Sequence, residues 1–446
     1  MIKDETVNGC RKVKRKFLLI FPEWPPAIGG MQTHAICLSN YLFSNGHKIL
    51  VVTYKPNHAQ YSKQEYLQSD KLFNFPVIRI LSRITYYQNL RIIQKISRKF
   101  KPDLIYSSNI FYGILKDWTG KPTVCRSVGN DILRPWIPYP FNFGSRLLYN
   151  KAIEEILVKI FFKYLRELDI FPFLSSIFRK RRLNITIQSA RSADTILPNS
   201  HFTTRILVGF GVNSAIIKPI IGGVDVNFFR REKSIDKRPL RKKLNLPEDK
   251  ILLLTVCRLV QKKRVDLLIR TIKTAISKDK NWHLVIIGNG KRRKKLIKLT
   301  HDLELTEFIT FIGSIPYYSI PQYYWTADLF ILASKIFYQS KTKTYDVETM
   351  GRVLCEANAA GVPVLASKSG GIPSIITNKK NGLLFNTDDQ TVLCEKITYM
   401  LNNKKMLEDF SRNGLYYAEE KFDWSIVFQK HEEIFENLLN GKRTGT

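Results

Sequence analysis

The chain has 446 residues, 44% of them apolar and 12% aromatic, with a formal net charge of +33. That length suits two domains of roughly 200 residues each, and that apolar content supports proper cores and excludes wholesale disorder. The positive excess favours anionic partners: nucleic acid, a phosphorylated substrate or acidic lipid.

The basic stretch RKVKRK before FLLIF (17–21) has the outline of a secretory leader. Its apolar run stops after five residues at Pro22, so a core strand with a basic lead-in is the better reading. The Pro/Gly loop PEWPPAIGG follows, then an amphipathic helix from about Met31 to Ser44, then a turn and second strand in NGHKILVVTY. PDLIYSS (102–108) and PTVCRSV (122–128) are further short apolar runs between helical stretches. Strand, loop, helix, strand is the rhythm of a parallel sheet wrapped by helices. The segment 133–182 breaks that rhythm by mixing aromatic and basic residues. It fits either helices packed on the domain core or a surface helix on anionic lipid.

KPIIGGVDVNFF (218–229) is a Gly-rich connection suited to a hinge. A second unit begins near Lys250, with ILLLTV (251–256), HLVIIG (283–288), FITFIG (308–313), ADLFILAS (327–334) and GVPVLAS (361–367) as strands buried on both faces. Residues 424–439 form an amphipathic helix by their periodicity. The six cysteines lack any C-x-x-C pair, which argues against structural zinc and a disulfide framework and fits a reducing cytoplasm. No apolar run approaches the roughly 18 residues of a spanning helix.

Three loops of the second unit follow strand ends, where open parallel sheets bind their ligands. In TVCRLVQKKRVD (255–266), Arg258 and Lys263 are candidates to hold a diphosphate, one by bidentate bonding and the other as a compact charge. Lys262 and Arg264 are read as solvated surface. In IIGNGKRRKKL (286–296), Gly288 and Asn289 stand where a backbone can approach an anion or a base. In YDVETMGRVLCEANAAG (345–361), Gly351 turns the backbone and a helix starts at about Arg352, offering free N–H groups to phosphate. Glu348 precedes that helix and can accept from sugar hydroxyls. Glu356 lies within it, where a buried carboxylate needs donors that a ribose diol supplies. Gly370-Gly371 follow at another strand end.

These residues resemble the family 4 retaining glycosyltransferases of the GT-B fold. Arg258 to Lys263 is similar to their R-x-x-x-x-K element, and Glu348 to Glu356 to their E-x7-E motif. PNSHFTTRILVGFGV, PIIGGVD, LVIIGNG, ADLFILAS, ANAAGVPVLAS and SGGIP occur in the family's order, and FPEWPPAIGGMQTH (21–34) resembles its glycine loop. The resemblance implies an α/β architecture of two Rossmann-like domains whose parallel sheets face an interdomain cleft. It assigns 1–215 to acceptor binding, 216–420 to the nucleotide-sugar, and 421–446 to a helix crossing back to the first domain.

By the same resemblance, Arg258 and Lys263 hold the diphosphate of a UDP- or GDP-linked sugar, and Glu348 contacts the hexose near Met350, Gly351 and Arg352. Glu356 takes the ribose, and Gly29 and Gly30 border the phosphates. No metal and no cofactor are expected. Cys257 and Arg264 stand where the family usually has glycine, and Thr349-Met350 replace its Gly-Phe. Val128 stands where many members carry a histidine, which leaves Asp131 as the acceptor-side candidate.

The implied activity is transfer to a lipid-linked or polysaccharide acceptor in cell-surface glycan synthesis, by a cytoplasmic protein peripheral on the anionic inner leaflet. The alternatives are a GT-B sugar-nucleotide epimerase and a basic nucleic-acid-binding protein. The latter lacks any RNP-type, zinc-finger or K-homology signature, so no nucleic-acid partner is expected.

Overall fold

The computed structural model of the protein describes residues 13–441 except 28, 58–60, 136, 138, 161–171, 233–235, 278 and 341–343. The chain forms two compact units, Met1–Arg126 with Pro135–Ile196 and Glu432–Thr446, and Ser127–Arg134 with Leu197–His431. The main stretch of the second unit runs from Leu197, against an expected 216. Local bonding explains why: the Ile220 N–H donates to the Pro198 carbonyl at 3.0 Å, and the His201 N–H to Ser374 Oγ at 3.0 Å.

The first sheet contains β1 (Lys16–Ile20), β2 (Lys48–Tyr54), β3 (Val77–Leu81), β4 (Leu104–Ser107), β5 (Thr123–Ser127) and β6 (Thr195–Pro198), in the order β3-β2-β1-β4-β5-β6. The pairs β1–β2, β1–β4, β2–β3 and β4–β5 are parallel. Phe17, Leu18, Leu19 and Ile20 are all fully buried, as strands covered on both faces require.

The second sheet contains β7 (Ile251–Val256), β8 (Trp282–Ile287), β9 (Ile309–Gly313) and β10 (Leu329–Leu332). A short antiparallel hairpin, β11 (Phe337–Gln339) and β12 (Thr344–Asp346), is followed by β13 (Val364–Ser367) and β14 (Leu383–Phe385). The sheet order is β14-β13-β10-β7-β8-β9. Read from the β9 edge this is 3-2-1-4-5-6, the order of the first sheet, and that of nucleotide-binding doubly wound folds. The order reverses between β7 and β10, so the loops leaving these two strands open onto the switch-point crevice.

Helices cover both faces. In Val265–Ile276 the buried residues Val265, Leu268, Ile269, Ile272 and Ala275 fall at helical spacing and make one apolar stripe. The helix Trp424–Leu439 starts in the second unit, and its last turns belong to the first. There Glu432 accepts from Tyr41 Oη at 3.0 Å and lies 3.0 Å from His47 Nε2, while Phe435 packs on Phe17.

The irregular segment holds helices Lys151–Ile160 and Pro172–Ser192. Its described parts pack on the first unit. Glu154 is buried, bonds Lys55 Nζ at 2.6 Å and accepts from the Arg83 N–H at 2.9 Å. Arg182 donates to the Ile137 carbonyl at 2.5 Å and Ile185 enters the core. Residues 161–171 of this segment lie outside the described residues.

Candidate active site

Two loops meet at the switch point of the second sheet. The loop after β7 turns through the 3₁₀ segment Gln261–Lys263, and the chain after β10 passes through the hairpin to Glu348. Arg258 is exposed, and among the described residues nothing hydrogen-bonds its guanidinium. Lys263 is buried and its ammonium donates to Glu348 Oε2.

The charges of this pair set its ionisation. Burial pushes the Glu348 carboxyl up, but Lys263, Lys262 and Arg258 outweigh it and hold the group below its ordinary value. Burial lowers the Lys263 ammonium, and Glu348 more than reverses that, so it sits above its ordinary value. The buried neighbour Cys257 has its thiol pushed up, chiefly by burial.

Lys262 and Arg264 are not the solvated cations expected from sequence. Lys262 is 5% exposed, lies 3.1 Å from Asp346 and donates to the Val347 carbonyl at 2.9 Å. Arg264 takes a left-handed backbone, with φ 49°, and bonds Asp388 at 2.5 Å. Lys262 is turned inward by the 3₁₀ segment and Arg264 is half-buried, which the chain's general basicity concealed.

The glycines serve the site indirectly. A Cβ on Gly288, where φ is 125°, would stand 2.0 Å from the Cys257 carbonyl oxygen, and one on Gly290 2.5 Å from that of Leu259. The Leu259 N–H donates to the Asn289 carbonyl at 2.9 Å, and the Gly288 N–H to that of Gly313 at 2.8 Å. These glycines therefore let one loop zip against the Arg258 loop. The Gly288 N–H is spent on protein, not left for an anion; Asn289 is exposed beside it. Gly370 and Gly371 do the same for Glu348. Added Cβ atoms would meet the Glu348 oxygen at 2.2 Å and the Thr349 oxygen at 1.8 Å, and the Gly371 N–H donates to the Glu348 carbonyl at 2.8 Å.

Gly351, left-handed at φ 89°, caps the helix Arg352–Ala359, with Met350 just before it. Glu356 lies within, 3% exposed, and accepts from Tyr324 Oη at 2.9 Å; Arg352 Nε is 3.4 Å from its other oxygen. Burial first, and then Glu356, push the Tyr324 phenol well above its ordinary value. Sequence reading missed Tyr324, one aromatic within the run YYW, together with Asp346 and the hairpin.

Asp131 belongs to the second unit, buried, accepting from Ser127 Oγ at 2.9 Å. The adjacent Gly129 packs so closely that a Cβ would lie 2.7 Å from Thr349 Cγ2, which brings the Asp131 turn against the Glu348 loop. Gly29 and Gly30 lie in the first unit, where the Gly29 carbonyl accepts from the Thr33 N–H at 3.0 Å at the start of helix Gly30–Ser44. Among the described residues, no group of three or more His, Cys, Asp or Glu could hold a metal ion.

Two family descriptions match the chain in tandem: "Glycosyltransferase Family 4" over residues 28–228 and "Glycosyl transferases group 1" over 236–415. With the doubly wound sheets and the loops above, the chain belongs to the family 4 glycosyltransferases of the GT-B fold.

Among curated relatives it is 27% identical over 232 residues to the GDP-mannose-dependent alpha-(1-6)-phosphatidylinositol monomannoside mannosyltransferase of Mycobacterium tuberculosis strain CDC 1551 / Oshkosh. That match covers 52% of this chain and spans 58% of the relative's length. The GDP-mannose-dependent monoacylated alpha-(1-6)-phosphatidylinositol monomannoside mannosyltransferase of Corynebacterium glutamicum is 24% identical over 433 residues, covering 95% of this chain and 98% of its own.

Among solved structures, Anabaena HepE in complex with UDP superposes with a TM-score of 0.70 at 18% identity, covering 95% of this chain and 100% of its own. WaaG, a glycosyltransferase involved in lipopolysaccharide biosynthesis, superposes with a TM-score of 0.62 at 17% identity, covering 94% and 99%.

Proposed function

We propose that the protein is a metal-independent retaining glycosyltransferase that moves a hexose from a nucleotide-sugar to a lipid-linked or polysaccharide acceptor. The observation that carries this is Arg258: an open guanidinium at the carboxyl end of β7, on the switch-point crevice, beside the buried Lys263–Glu348 pair. A dinegative diphosphate would take bidentate bonds from Arg258 and one of the two remaining Lys263 N–H donors. Glu348, already ionised and anchored, would accept from hexose hydroxyls. Glu356 would take the ribose with lone pairs that Tyr324 and Arg352 leave over.

In the step itself, the bond between the anomeric carbon and the diphosphate oxygen breaks while the acceptor oxygen bonds the same face. The acceptor's proton passes to the departing phosphate oxygen. Charge grows on that phosphate, where Arg258 with Lys263 would meet it and would stabilise the transition state more than the ground state. Asp131 would orient the acceptor from the turn packed on Thr349. The relatives' names favour a GDP-linked hexose and a phosphoinositide-type glycolipid, and the HepE complex favours UDP, so both nucleotides are tested.

No helix among the described residues is long and apolar enough to cross a membrane. A protein peripheral on the cytoplasmic face would meet such an acceptor through its basic surplus, each lysine or arginine near the surface adding about 1 kcal/mol. The test is a thermal-shift panel of GDP, UDP, ADP and their common sugars, followed by turnover with a glycolipid acceptor. Stabilisation by one nucleotide and a product of unchanged anomeric configuration are expected. Products formed from donor alone without hydrolysis would indicate an epimerase instead. Stabilisation by none, or an inverted product, would overturn the reading.

A further inference from the structure

Lys262 and Lys263 stand side by side in one 3₁₀ turn, and both are buried. Lys263 bonds Glu348. Lys262 bonds the two residues that precede Glu348 in sequence: its ammonium donates to the Val347 carbonyl at 2.9 Å and lies 3.1 Å from the Asp346 carboxylate. Its own carbonyl accepts from the Lys335 N–H at 2.8 Å. Lys335 leads into β11 and Asp346 closes β12, so one residue grips the hairpin at both of its ends. Two neighbouring ammoniums thus pin three consecutive residues, 346 to 348.

We propose that Lys262 is a positioning residue that sets the placement of Glu348 by clamping the hairpin stem. The inference deepens, and rests on, the transferase reading. At Glu348 and Thr349 the backbone is held by the Gly371 N–H, which donates to the Glu348 carbonyl at 2.8 Å, and by the close packing of Gly370 and Gly371. Before Glu348 it is fixed by side chains, and Lys262 supplies the donor. A methionine would fill the same volume at no desolvation penalty, and buried ion pairs are often no more stabilising than such replacements. A charge kept here is therefore better explained by the geometry it imposes. Arg134, 3.8 Å from the Asp346 carboxylate, adds to the same anchor.

The test uses the full chain, with Lys262→Met and, so that no carboxylate is left stranded, Lys262→Met/Asp346→Asn. Hydrogen exchange over 344–351 should rise in both variants, a readout independent of activity. Turnover should fall about 100-fold, the loss expected when a contacting group is displaced by roughly 1 Å, while nucleoside diphosphate affinity changes less than about threefold. Unchanged exchange at 344–351 would overturn the clamp. Raised exchange with unchanged turnover would reduce Lys262 to a structural prop and overturn its positioning role. Failure of the wild-type protein to use any nucleotide-sugar would instead strike the transferase reading, and the exchange data would still report on the clamp.

Discussion

Lys263→Met removes one half of the buried pair that anchors Glu348. The two side chains are 9% and 15% exposed, so the orphaned carboxylate stays largely out of water. Breaking such a pair from one side costs about 3–5 kcal/mol, whereas replacing both partners is close to neutral. Lys262 and Arg258 also hold the carboxyl down, which places the expected loss near the lower end, about 3 kcal/mol at pH 7. For a unit of this size that is a fall of roughly 6–12 °C in Tm. Adding Glu348→Gln should restore about 2 kcal/mol of it, because no unpaired charge then remains.

The pH dependence follows from the two shifts. Glu348 is held below its ordinary value, so its contribution is present above about pH 4.3 and is lost as pH falls through the lower folded value. Lys263 is held above its ordinary value, so its contribution is present below about pH 10.4 and is lost as pH rises through the higher folded value. The gap between wild type and Lys263→Met should thus be widest between roughly pH 5 and 10 and narrow at both ends. Thermal unfolding across that range, for wild type, both single variants and the double variant, measures it. Equal losses in single and double variants, or a gap that ignores pH, would refute the pairing argument.

Further outcomes are expected at neighbouring positions. Glu356→Ala should weaken nucleotide binding by about 1.5–3 kcal/mol, roughly 10- to 150-fold by calorimetry, with the fold intact by circular dichroism. Tyr324→Phe deletes a donor to that buried carboxylate and should lower stability by about 1–3 kcal/mol in urea unfolding. Gly371→Ala forces a Cβ into the Thr349 carbonyl, so turnover should drop more than 10-fold while nucleotide affinity holds within about threefold, measured by steady-state kinetics and calorimetry. On the helix Pro172–Ser192, Ile177 and Lys180 are exposed, and Ile177→Ser/Lys180→Glu should reduce co-sedimentation with anionic vesicles without changing Tm.

Strands such as β1, β7, β8 and β10 were legible because each is a short run of apolar residues covered on both faces, whereas β3 and β9 are only partly covered. ILLLTV at 251–256 and the helix at 424–439 are found where periodicity puts them. The hairpin was not legible: three-residue strands within KIFYQSKTKTYD carry too little alternation to separate from a polar loop. Motif spacing singled out Arg258, Lys263, Glu348 and Glu356 as candidates, but could not say which charges pair, since partners lie some 85 residues apart, as Lys263 and Glu348 do. Nor could it show what the glycines pack against: at Gly288, Gly290, Gly370 and Gly371 an added Cβ would meet another loop's backbone. The compact units divide near 197 rather than at the 215 that the resemblance implied, since the helix after β6 bonds Ser374 of the second unit, a contact that hydropathy does not show.

Cradling of an activated sugar's diphosphate by Arg258 and Lys263 is the claim on which the rest stands. A crystal structure with an intact nucleotide-sugar tests it most directly. The diphosphate should lie within hydrogen-bond distance of the Arg258 guanidinium and the Lys263 ammonium, with the hexose on Glu348 and the ribose on Glu356. A donor bound with its diphosphate away from Arg258, and Glu348 still facing only Lys263, would contradict the account.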